Sequence, residues 1–175
     1  MNTANAPTAA LVGLFVTIWH ERMQAVPLLN PALSVEAAGF RPWQGHWLGV
    51  LITPWFMNLV LLPDDRQRWV ALAPGERRRV RFPAGEFVFQ AADEAPVGAY
   101  QFCTLFAPMG GFADQSAARL TAHAALDGLM QSGLFHSVAA SPAPDPPGLR
   151  QRLAADIDRR GFLGGAFFRG GRGRG

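Results

Sequence analysis

The sequence predicts an α+β fold: an antiparallel β-sheet of about five or six strands packed by an N-terminal and a C-terminal helix. Three observations carry this expectation. A helical apolar period is confined to two stretches, 8–25 and 114–131. Between them lie runs of aromatic and β-branched residues, most of them closed by Pro, Gly or Asp, as strands are. Those runs follow one another directly instead of alternating with helices, which favours antiparallel pairing.

Residues 1–7 are small and polar and are expected to be disordered. Leu11, Leu14, Phe15, Ile18 and Trp19 then recur on one helical face, with Thr8 as N-cap and Pro27 just past the end. Residues 28–33 form an ordered apolar loop, because Pro27 and Pro31 both deny a helix interior. A first strand is expected from Ser34 to Phe40, ended by Arg41-Pro42, with a turn at Gln44-Gly45. His46 to Thr53 follows, with Leu48, Val50 and Ile52 on one face and Trp47, Gly49 and Leu51 on the other. Both faces are apolar, so this strand is central or covered on both sides. Pro54 lacks a ladder donor and should end the pairing.

Phe56 to Leu62 gives another strand, closed by Pro63-Asp64-Asp65. A weak strand is expected at Trp69 to Leu72, before Pro74-Gly75. Arg77 to Phe82 and Glu86 to Gln90 form a hairpin around Pro83-Ala84-Gly85. Val97 to Phe106 is the last strand, stopped by Pro108. The second helix starts at the N-cap Asp114 and carries Ala117, Leu120, Ala124, Leu126, Leu129 and Met130 before Gly133. A single domain is thus expected over 8–138. A Pro-rich linker (139–148) and a short helix with an Arg/Gly-rich flexible tail (149–175) follow it.

Composition narrows the function. The chain has 175 residues, 49% of them hydrophobic, enough for a real core. Only 17% are charged, against roughly 25% in typical soluble domains, so apolar surface left over from the core is a candidate partner site. Every one of the 16 cationic side chains is Arg. Residues 1–147 carry nine Arg against eleven acids, a formal −2, and residues 148–175 carry seven Arg against two acids, a formal +5. The basic character belongs to the tail, and the body has no electrostatic footprint for DNA or RNA. Cys103 stands alone, which excludes an internal disulfide or a multi-cysteine metal site and suits a reducing compartment. The apolar run from Ala9 to Trp19 is shorter than the about 20 residues a bilayer span needs. It also lacks a basic leader. A cytoplasmic protein with no stable membrane insertion is expected.

Catalytic signatures are missing. His20-Glu21 would need a second His at position 24, which is Gln24. His46, His123 and His136 have no acidic or Cys neighbour at ligand spacing, so no metal or cofactor is expected. Cys103 lies among Tyr100, Phe102, Leu105 and Phe106 and reads as a buried, inert thiol. No nucleophile elbow, dinucleotide loop or P-loop occurs. The chain is expected not to be an enzyme.

Interface chemistry is better represented. Trp43, Trp47 and Trp55 lie within 13 residues, around Pro42 and Pro54, and Met57 follows. Trp, Arg and Met are enriched at the centres of protein interfaces. A partner-binding surface is therefore expected at Trp43, Trp47, Thr53, Pro54, Trp55 and Met57, with Arg79 and Arg81. The simpler role of Trp47 is to fill the core. Arg77, Arg79 and Arg81 share one strand face, where they either guard an edge against aggregation or meet an acidic partner. Two other functions stay open: an RNA-binding module using the Arg/Gly tail, and a cofactor carrier using Cys103 or a histidine.

The run Gly45-His46-Trp47-Leu48-Gly49-Val50-Leu51-Ile52-Thr53-Pro54-Trp55 resembles the G-x-W-x-G-x-x-I-T-P-W segment of the HybE-type, or HupJ-type, [NiFe]-hydrogenase assembly chaperones. Leu29-Asn30-Pro31-Ala32-Leu33 and Phe82-Pro83-Ala84-Gly85 agree in order, and Cys103 to Met109 looks like the family's C-x-L-x-S-P stretch with Ala107 for Ser. The likeness spans about Leu11 to Met130. It implies an accessory protein without catalytic residues that binds a hydrogenase subunit precursor in the cytoplasm. The implied partner is the iron–sulfur small subunit with its twin-arginine export signal; the large subunit and other maturation proteins are possible further partners. Some relatives carry a fused rubredoxin domain with paired CxxC motifs, an iron site that one cysteine is not expected to build. The tail after Gly161 departs from the pattern.

Overall fold

Alternating apolar side chains and tight turns build one six-stranded antiparallel sheet with a helix on each face. The computed structural model describes residues 8–23, 29–64 and 69–132. The expectations for 1–7, Pro27, Gly133, the 139–148 linker and 149–175 lie outside these residues.

The strands are β1 (Glu36–Trp43), β2 (His46–Ile52), β3 (Met57–Pro63), β4 (Arg77–Phe82), β5 (Gly85–Glu94) and β6 (Gly98–Phe106); the helices are α1 (Thr8–Ile18) and α2 (Gln115–Leu129). The sheet order β1-β2-β3-β6-β5-β4 joins two three-stranded meanders at the β3–β6 pair. The first hairpin turns at Gln44 and Gly45, both at positive φ (48° and 77°), the geometry whose twist matches that of paired strands.

Strand alternation sorts the core into two layers. Leu48, Val50 and Ile52 join Leu59, Leu61, Phe89, Ala118, Ala122, Leu126 and Leu129 on the α2 face. Trp47 and Leu51 join Leu11, Phe15, Val60, Leu62 and Tyr100 on the α1 face. The expectation that the second strand is covered on both sides is met. The sheet also curls around the α2 layer, because Trp43 of one edge strand stacks on Phe82 of the other at 4.5 Å.

Four expectations are corrected. β1 does not stop before Pro42 but runs through it to Trp43, with Pro42 opposite Trp47; an edge strand tolerates the missing donor. Residues 69–73 form no strand. Thr8 lies inside α1 instead of capping it, and the helix passes into a π-helical turn at Trp19–Met23. In α2 the buried stripe is Ala118, Ala122, Leu126 and Leu129, while Leu120 is 72% exposed. Alanines at 117, 118, 122, 124 and 125 occupy both sides of this helix, so small apolar residues left its phase open and Leu126 and Leu129 set it.

Polar contacts pin α2 to the sheet. Asp114 caps it by accepting from the Ala117 N–H at 2.8 Å. The Glu36 carboxylate on β1 accepts from Arg119 Nε at 2.7 Å and from Gln115 Nε2 at 2.7 Å. The hydrogen bond from Arg119 holds the Glu36 carboxyl below its ordinary pKa, against the opposing effect of burial. Arg41 Nη2 donates to the Leu126 carbonyl at 2.7 Å, near the helix end.

Candidate functional site

The α1 face carries an apolar groove. Register explains its floor: Leu51 pairs with Asn58 and Asn58 with Thr104, while Gly49 pairs with Val60, Val60 with Phe102 and Phe102 with Gln90. These residues therefore point to one side of β2, β3, β6 and β5. Phe15, Ile18, Arg22 and Met23, from α1 and its π-helical turn, form one wall around a cavity of about 160 Å³. Single-turn π segments interrupt α-helices frequently at functional sites. Asp93 and Glu94 line the groove at the end of β5. Burial raises the Glu94 carboxyl above its ordinary pKa, partly offset by Arg22.

The Thr53-Pro54-Trp55-Phe56 turn forms the rest of the rim. Fully buried Thr53 replaces a simple hairpin with a side-chain clasp: its Oγ1 accepts from Phe56 N at 2.9 Å and Trp55 N at 3.3 Å. The Phe56 carbonyl accepts from Thr53 N at 2.9 Å. Asn30 N donates to the Pro54 carbonyl at 2.9 Å, and the Asn30 amide donates to the carbonyls of Met109 and Phe112 at 3.0 and 2.7 Å. The Asn-Pro loop thus ties the turn to the segment after β6. Held this way, Trp55 lines the groove, and Phe56 meets Phe15 edge to face at 5.6 Å.

One polar group stands out on this floor. Asn58 is 5% exposed, and its Oδ1 accepts no hydrogen bond. A buried acceptor without a partner carries a desolvation penalty of about 1–3 kcal/mol.

The expected surface is divided by the pleat. Trp55, 7% exposed, reaches the groove, and Thr53 and Pro54 hold it there. Trp47 is 6% exposed beneath α1, its indole N–H donating to Asp64 Oδ1 at 3.0 Å. Met57 is 0% exposed in the α2 layer. Met57 faces away from the groove because alternation turns neighbours on one strand to opposite faces, and Trp47 shares the groove's face but is covered by α1. Trp43 lies across the sheet against Phe82. Arg79 and Arg81 are exposed on the α1 face of edge strand β4, each within 4 Å of Glu86 (3.8 and 2.8 Å). Exposed Val88 stands opposite Arg79. Sequence reasoning missed Phe15, Ile18, Phe102 and Asn58. The available signal was Asn58 itself, the one polar side chain between Met57 and Leu62.

Cys103 sits half-buried, and burial pushes its thiol pKa up, keeping it protonated. Among the described residues no group of three or more His, Cys, Asp or Glu is placed to hold a metal ion. No helix among them is long and apolar enough to cross a membrane.

Comparison with known proteins agrees with this architecture. The family model described as "[NiFe]-hydrogenase assembly, chaperone, HybE" matches residues 6–165, beyond both ends of the likeness read from motifs. The hydrogenase expression/formation protein HupJ of Bradyrhizobium diazoefficiens is 42% identical over 158 residues, covering 89% of this chain and 85% of that protein. A probable rubredoxin HupJ of Rhodobacter capsulatus is 46% identical over 114 residues, 65% of this chain but only 41% of that longer protein. The solution structure of HybE from Escherichia coli superposes with a TM-score of 0.61 at 23% identity, over 82% of this chain and 85% of that one, and shows the same fold. With a family model over most of its length and relatives alike across it, the chain belongs to the HybE family of [NiFe]-hydrogenase assembly chaperones.

Proposed function

We propose that this chaperone holds the precursor of a [NiFe]-hydrogenase iron–sulfur small subunit in the cytoplasm, before export, with the precursor's twin-arginine signal in the groove beside Trp55. The observation that carries this reading is the combination of an apolar trough with carboxylates, Asp93 and Glu94, at one end. An export signal has the complementary order, a basic segment followed by an apolar stretch. Trp55, Phe56 and Phe102 supply the apolar contact, and Thr53 and Pro54 fix the turn. Trp47 and Met57 support it from within. Arg79 and Arg81 lie farther along the same face, where they meet acidic surface on the body of the precursor; Trp43 offers a contact at the sheet edge. The role is binding, with no catalytic step.

Co-expression of a tagged chain with the small-subunit precursor, with and without its signal, tests the reading. Retention of the full precursor alone supports signal recognition. Equal retention of both forms moves the target to the mature domain, and retention of neither excludes the small subunit and points to the large one.

A further inference from the structure

The groove also matches a segment of this chain. Residues 159–168 read Arg159-Arg160-Gly161-Phe162-Leu163-Gly164-Gly165-Ala166-Phe167-Phe168. Two adjacent arginines precede an uncharged stretch rich in Phe and small residues, the order of charge and apolarity found in a twin-arginine signal. We propose that this C-terminal segment is an internal mimic of the client's signal and occupies the groove when no client is bound. The proposal rests on the reading of the groove as the client site.

Two observations converge on this occupant. Charge is complementary: the segment belongs to the formal +5 part of the chain, whereas 1–147 is a formal −2 and the groove carries Asp93 and Glu94 against the single cation Arg22. Reach is sufficient. The described fold ends at Ser132, leaving 26 residues before Arg159; a chain of that length reaches at most about 85–95 Å, well beyond the width of a domain of this size. A linker that spans the two sites holds its end at an effective concentration up to the order of millimolar. A segment binding with a Kd of about 0.1 mM in trans would therefore weaken client binding about tenfold in cis.

The test uses the full chain and the full-length variant R159Q/R160Q/F162S. Backbone amide spectra of both are recorded without client, and affinity for a synthetic twin-arginine signal peptide is then measured. The expected result is amide shifts at Ala92 to Glu94, Phe102 and Trp55 in the variant, with peptide binding about tenfold tighter than in the parent chain. Groove amides that do not move overturn the proposal, whatever the peptide does. If instead the variant loses salt-sensitive RNA binding while the groove stays unmoved, the tail serves RNA and the proposal also falls. Groove shifts with no peptide binding by either chain sustain the internal docking and overturn the client reading, so the two failures are separable.

Discussion

The two faces of the sheet are made by the same strands, and only one of them is closed. On the α2 face, Leu48, Val50, Leu59, Leu61, Phe89 and Leu126 are all fully or almost fully buried, the sheet curls until its edges touch at Trp43 and Phe82, and the helix is held by Asp114, Glu36 and Arg41. On the α1 face the helix covers the β1 side of the sheet, and the floor beyond it, with Phe102 and Thr104, stays partly exposed. The contrast separates stability from recognition. One side chain on a strand serves the fold, and its neighbour serves whatever docks.

The largest test of that division is Leu126→Ala. It should lower unfolding free energy by about 2–5 kcal/mol, read by urea denaturation, while the folded fraction binds client as before. A matching drop in affinity would mean the faces are coupled. On the open side, Phe102→Ala should weaken client binding by at least about 2 kcal/mol, roughly thirtyfold in Kd, with a smaller loss of stability because the ring is only partly buried. The reverse ranking would return Phe102 to the core and the groove to plain packing. Asp114→Ala should remove about 1 kcal/mol of stability through the lost cap and leave binding untouched.

The smallest effect concerns pH. Glu36 has its pKa lowered in the fold, chiefly by the Arg119 hydrogen bond. Its contribution is therefore present above the unfolded value, at neutral pH, and is lost as pH falls through the folded value. Its side chain is 28% exposed and that of Arg119 47%, so solvent screening keeps the pair's contribution small. Urea midpoints for Glu36→Gln should show a shallower loss of stability than the parent chain as pH falls from about 5 through and below the ordinary carboxylate range; identical profiles would place the acid sensitivity elsewhere.

Much of this division was legible in the sequence. The alternation of Leu48, Val50 and Ile52 with Trp47, Gly49 and Leu51 already assigned a layer to each side chain. Turn residues at Gln44-Gly45 and Pro83-Ala84 set the hairpins, and Asp114 marked the helix start. The site was less legible, for a physical reason. Composition flags Trp and Arg, but a groove is defined by which strands lie side by side, and the pairing of Val60 with Phe102 spans 42 positions. No local pattern reports it. Trp43, Trp47 and Trp55 are near in sequence, yet only Trp55 lines the groove, whereas Phe15, Asn58 and Phe102 are distant in sequence and share one trough.

The β3–β6 pair has a consequence of its own. It is the one strand pairing that joins the two meanders, so most of the sheet zips locally and a single long-range closure completes it, the step that limits folding speed in sheets of this kind. The floor of the groove lies across that closure. A client resting there touches both halves and acts as a splint: by mass action it raises the melting temperature of its holder as its own concentration rises. Held as proposed, precursor and holder then shield each other from proteases for as long as maturation lasts.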